Sequence, residues 1–116
     1  MFGGGGRYSL MLHHFWRDLM DIHITTRHCA ITDAEYENAV TAAKRFEKFH
    51  QNIVRTDIIF EEVPLKKSCE ITLRIHDHLL VSKEISTDFS KAVHDAGLKM
   101  ERQLSKLHDK FATVRP

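Results

Sequence analysis

Four cations near the end of the chain, Lys99, Arg102, Lys106 and Lys110, recur at spacings of three and four. On an α-helix turning about 100° per residue they fall within an arc of about 80°. That arc is centred roughly 120° from an apolar stripe made by Phe89, Val93, Ala96, Met100, Leu104, Leu107 and Phe111. A ridge so spaced can neutralise several phosphates, and the released counterions would give sequence-independent affinity for RNA. It is also what a solvated helix face presents where Lys and Arg sit near a negative C-terminal end. Arg45 and Lys48 lie on the outer side of a second amphipathic segment, and Arg27-His28 separate a strand pattern from a helix start, where a loop can reach a nucleic-acid backbone. Taken alone, each of these pairs reads more simply as an ordinary exposed surface.

Other residue groupings carry less chemistry. His76-Asp77-His78 would put two imidazoles on one side of a strand, but no third or fourth metal ligand is placed by spacing, so a polar hairpin tip is the simpler reading. Gly3 to Gly6 lack the following Lys-Ser/Thr of a P-loop, and no nucleophile elbow or paired carboxylate accompanies Asp77. His50 falls inside the apolar stripe of the first helical segment, where a packed neutral imidazole is expected. Cys29 and Cys69 form no C-x-x-C pair and read as inert thiols in a reducing compartment. Neither an enzyme nor a metal or cofactor site is indicated.

These side chains must be positioned by a single domain, since 116 residues with 42% apolar content support one core. Seventeen Lys and Arg against sixteen Asp and Glu give a net charge of +1, which excludes a uniformly basic or acidic protein. The excess is local: residues 98 to 116 hold five cations (Lys99, Arg102, Lys106, Lys110, Arg115) and two anions (Glu101, Asp109), a balance of +3 that leaves −2 for the rest. No run approaches the roughly 18 to 20 apolar residues of a membrane span. Nine histidines add a reserve of charge that fills as pH falls. RNA affinity at fixed salt should therefore rise from about pH 8 to about pH 6; a flat profile in a pH titration of binding would contradict this.

Residues 1 to 19 show no sustained period and no cleavage site, and are expected to be a flexible leader or a start-site or cloning extension. Ile22 and Ile24 then alternate with His23 and Thr25 in a strand ending near Arg27. Thr32 with Glu35 three positions on is a capping box, and Tyr36, Ala39, Ala43, Phe46 and Ile53 make one stripe over a helix from 33 to 52. Arg55 to Val63 reads as a strand stopped by Pro64, with Lys66-Lys67-Ser68 as a linker. Cys69, Ile71, Leu73 and Ile75 alternate cleanly, Asp77-His78 is a candidate turn, and Leu79 to Ile85 is a fourth strand of ambiguous faces. Thr87 or Asp88 caps a helix to about Phe111. The order β-α-β-β-β-α implies an α+β two-layer sandwich with two helices on one face of a four-stranded sheet, its first two strands parallel. The domain is expected over residues 20 to 112, with a short tail from 113 to 116.

Three segments carry a family resemblance: Ile24-Thr25-Thr26-Arg27-His28 with Ile31-Thr32-Asp33-Ala34, Arg45-Phe46-Glu47-Lys48-Phe49, and Lys99-Met100-Glu101-Arg102-Gln103-Leu104-Ser105-Lys106-Leu107, with Asp88-Phe89 opening the last helix. The chain resembles the short form of the ribosome hibernation-promoting factor and ribosome-associated translation inhibitor family, whose fold is similar to double-stranded-RNA-binding domains. The resemblance implies a cytoplasmic, non-enzymatic inhibitor that binds the small ribosomal subunit and its rRNA in the decoding channel and excludes mRNA and A/P-site tRNA. It implies no cofactor, no membrane, no small-molecule substrate, and a monomer off the ribosome. The matching contact positions are Arg45, Lys48, Lys99, Arg102, Lys106 and Lys110, with Arg27 and His28 in a recurrent loop motif. Thr26, Glu84 and Ser90 depart from the family pattern, which puts the packing of the fourth strand in question. With no second domain after the last helix, pairing of ribosomes by this chain alone is not expected. A general double-stranded-RNA-binding module is the other reading of the same order of elements.

Overall fold

The Thr32 hydroxyl accepts from the Glu35 amide at 3.1 Å while the Glu35 carboxylate accepts from the Thr32 amide at 2.8 Å, so two otherwise orphan donors are satisfied as a helix begins. The structure, a computed structural model, describes residues 12–14, 21–49 and 52–114, with side chains over 21–49 and 52–107. Its elements are β1 (Leu12–His14), β2 (Asp21–Arg27), α1 (Asp33–Phe46), β3 (Ile53–Val63), β4 (Lys66–Ile75), β5 (His78–Ser86) and α2 (Phe89–Val114). Thr32→Ala is expected to cost about 1 kcal/mol, within a usual range of about 0.5 to 2, and Thr32→Ser to cost little, as read from denaturant melts.

Sheet order follows chain order, β1-β2-β3-β4-β5. β2 and β3, joined through α1, are parallel, and the remaining pairs are antiparallel. The four expected strands and two helices are present. A fifth, three-residue strand, β1, lies within the stretch read as a leader and pairs with the free edge of β2. One face of the sheet carries Ile22 and Ile24, Ile58 and Phe60, and Cys69, Ile71 and Leu73, all fully or nearly fully buried against Ala39, Ala43 and Phe46 of α1 and Val93, Ala96, Met100 and Leu104 of α2. Among the described residues no helix is long and apolar enough to cross a membrane.

Several boundaries differ from the sequence expectation, each for a local reason. Helix α1 stops at Phe46, because the next amides bond three residues back (Glu47 to Lys44, Lys48 to Arg45, Phe49 to Phe46) and tighten the turn. Ile53 therefore opens β3 instead of extending the helical stripe. His50 lies outside the described residues. Lys66 to Ser68 are strand, since Pro64 and Leu65 alone make the turn, Leu65 supplying the left-handed φ of 65°. The second hairpin turns at His76-Asp77, with Ile75 opposite His78. In β5, Leu80 and Ser82 face the helices, and the buried Ser82 hydroxyl donates to the Ala96 carbonyl at 2.9 Å; Leu79, Val81 and Ile85 point away from them. Asp88 caps α2, its carboxylate accepting from the Lys91 amide at 2.7 Å. Gln103 and Lys99 of α2 donate to the carbonyls of Val81 and Lys83, two residues apart on β5, at 2.8 and 3.4 Å.

Candidate nucleic-acid interface

The two helices run side by side in the same direction: Asn38 bonds Ser90 at 3.1 Å near their starts, and Arg45 meets Glu101 further along. Their C-terminal halves thus share one end of the molecule, with Arg45 at the end of α1, Lys48 in the turn after it, and Arg102 and Lys106 on α2, all exposed; Arg102 and Lys106 lie on the flank of α2 turned away from the Glu101 that meets Arg45. Arg102 and Lys106 make no ion pair with any described residue, so their charges face water. Lys99 lies on the same side of α2, but its ammonium is 2.9 Å from Glu84 of β5. Lys110 belongs to α2, with its side chain outside the described residues.

Arg45 is the most constrained of these cations. Its Nε donates to Oε2 of Glu101 at 2.8 Å and its Nη2 to Oε1 at 3.1 Å, a two-point pairing that joins α1 to α2. This hydrogen bonding holds the guanidinium more firmly protonated than usual. The Arg45 side chain is half exposed and that of Glu101 only 11%. The two ion pairs change what these cations offer: Lys99 and Arg45 are partly spoken for by carboxylates, while Arg102 and Lys106 have no carboxylate partner among the described residues.

Arg27 and His28 are exposed at the opposite end. Arg27 closes β2, and His28 takes a left-handed φ of 57° that aims the chain toward α1. Phe89, the first residue of α2, lies near that end, its ring 5.2 Å from that of Phe60. Arg102 is thirteen residues further along the helix, or about 20 Å at 1.5 Å per residue. The loop pair is therefore not brought near the helix cations.

Glu101 and Glu84 were not marked by the helical wheel as partners. The available signal was Glu101 itself, a carboxylate at the rim of the apolar stripe on the side away from the cations. Glu84 and Ser90, two of the departures noted in the sequence, both have partners here, Lys99 and Asn38. His76 sits exposed in a turn while His78 opens β5, so the two do not share one strand face, and no cluster of three or more His, Cys, Asp or Glu forms among the described residues. Burial pushes the Cys69 thiol far up, and burial is also the main reason the Cys29 thiol is raised; its Sγ lies 3.4 Å from the Phe60 carbonyl. Both are protonated at neutral pH and poor nucleophiles.

Comparison with known proteins agrees with the fold and adds identity. Ribosome-associated factor Y of Haemophilus influenzae is 28% identical over 96 residues, covering 83% of this chain and 90% of that protein. A ribosomal subunit interface protein from Coxiella burnetii superposes with a TM-score of 0.71 at 26% identity, over 76% of this chain and 97% of its own. The N-terminal domain of Protein Y from Thermus thermophilus, at 18% identity, shares the fold with a TM-score of 0.67 over 77% and 98% of the two chains. The sequence pattern described as Sigma 54 modulation protein / S30EA ribosomal protein matches residues 22–112, and with β2 through α2 inside that span the chain belongs to this family.

Proposed function

We propose that this protein is a non-catalytic translation inhibitor and ribosome hibernation factor that occupies the decoding channel of the small ribosomal subunit, excluding mRNA and the A- and P-site tRNAs. The observation that supports this is the set of exposed cations at one end of the molecule, Arg45 and Lys48 at the end of α1 and Arg102 and Lys106 on α2, in a fold shared with proteins named for the ribosome and its subunit interface. Cations on rigid helices position a protein on rRNA through backbone phosphates, and occupation of the channel then inhibits by exclusion, with no bond made or broken. Lys99 would join the contact once a phosphate competes with Glu84. Arg27 and His28 would meet a separate stretch of backbone about 20 Å away.

The test is cosedimentation with purified small subunits together with inhibition of translation in vitro, and displacement of bound protein by mRNA and tRNA. Binding that survives saturating mRNA and tRNA would remove the channel from the proposal. Equal affinity for free duplex RNA and for ribosomes would favour a general double-stranded-RNA-binding module.

A further inference from the structure

A groove of about 420 Å³ runs between α1 and α2, within the size range of small-molecule sites. On its floor Gly97 of α2 faces Ala42 of α1: a Cβ built on Gly97 would stand 3.6 Å from that of Ala42, an ordinary contact. Val93 and Leu98 add apolar wall, so the middle of the groove suits a flat, weakly polar ring. The bonded Asn38 and Ser90 close one end with an amide and a hydroxyl, groups able to meet the polar edge of such a ring. Arg45 closes the other end. Its pairing with Glu101 uses two of the five N–H donors of a guanidinium, both on the Nε–Nη2 edge. The three that remain belong to a half-exposed group whose orientation the carboxylate has already fixed.

An anionic group at the Arg45 end and a planar ring beside it are what one unstacked nucleotide offers. A duplex offers its rings only stacked inside, out of reach of a groove one side chain deep. We propose that this interhelical groove is a subsite for a single unstacked RNA nucleotide, its base between the helices and its phosphate on the outer edge of Arg45, with Glu101 as the residue that positions Arg45. This rests on the rRNA-binding reading above and names one part of that contact.

The experiment measures binding of fluorescein-labelled hexauridylate, and in parallel cosedimentation with small subunits, for the full chain and its variants. Thr41 is exposed on the groove rim, so Thr41→Phe blocks the groove without burying anything new. It is expected to weaken hexauridylate binding about fivefold or more, with an unchanged melting curve. Arg45→Gln should lower the log–log salt slope for the single strand by about 0.7. Glu101→Gln is the sharpest arm. Removal of a negative charge beside the cations would by general electrostatics tighten RNA binding, whereas release of Arg45 from its clamp weakens it, here by about threefold. Hexauridylate binding unchanged in Thr41→Phe, or tightened in Glu101→Gln, overturns the subsite; if ribosome cosedimentation is intact in that case, the function stands without it. A wild-type protein that fails to cosediment removes the function, and the hexauridylate arms still decide the groove.

Discussion

Replacement of Arg102 and Lys106 by Glu together is expected to weaken association with small subunits by roughly 100-fold near physiological salt and to abolish inhibition of translation in vitro. The magnitude follows from counterion release. Five cations face the proposed interface, Arg45, Lys48, Lys99, Arg102 and Lys106, and at about 0.7 to 0.9 per phosphate contact they imply a log–log salt slope near −4. The double variant removes two contacts and places two carboxylates against phosphate, so the slope should shrink by about 2. These two residues are chosen because they make no ion pair among the described residues, whereas Arg45 and Lys99 are partly neutralised by Glu101 and Glu84. Glu substitutions at Arg27 and His28, at the far end, should cost much less. Sedimentation across a salt series provides the measurement, and a double variant with undiminished inhibition and an unchanged slope would refute the cationic flank of α2 as a binding surface.

Phe60→Ala is expected to be the most damaging single change to the fold. Phe60 is fully buried on β3, opposite Cys69 of β4 and beside Thr26 of β2, and its ring meets Phe89 edge to face at 77°. Truncation of a core Phe costs about 3 to 5 kcal/mol, and loss of the aromatic pair adds to it, against a typical domain stability of about 5 to 15. At roughly 4 to 8 °C per kcal/mol, the melting temperature should fall by about 15 to 30 °C, as followed by circular dichroism. A fall of under about 5 °C would mean that the site collapses around the cavity instead of retaining it. Because Phe89 is the first residue of α2, the same substitution loosens the helix that carries Arg102 and Lys106, and ribosome binding should weaken before the chain unfolds.

What could be read before any coordinates was whatever local chemistry alone decides. The capping box at Thr32 and Glu35 is a reciprocal local pairing, and the alternation from Cys69 to Ile75 and the stripe from Phe89 to Leu107 each satisfy one period and no other; the structure places all three as read. Ile53 satisfies two periods, completing a helical stripe and opening a strand; tertiary pairing with Ile75 of β4 decided it. Three residues are too few to show any period, so β1 was invisible until β2 offered an edge. The two hairpin turns were legible at Pro64 and Asp77-His78 but not to the residue, because neither Leu65 nor His76, which take the positive φ, is the glycine or asparagine that usually marks it. In the candidate site, the wheel placed Lys99, Arg102 and Lys106 on one side of α2, as the structure does. It could not show that Glu84 and Glu101 answer two of the cations, since those pairings are made across separate elements: Arg45 and Glu101 are 56 residues apart in the chain.

The hydrogen bonds from Gln103 and Lys99 to the carbonyls of Val81 and Lys83 bear on what β5, the last strand of the sheet, offers to another strand. A terminal strand with vacant acceptors is a template on which another copy's strand can grow. Here two of the acceptors are taken by long polar side chains from the chain's own helix, beside the exposed Leu79, Val81 and Ile85. The helix that carries Arg102 and Lys106 thus also occupies part of the rim at which a further strand would have to start.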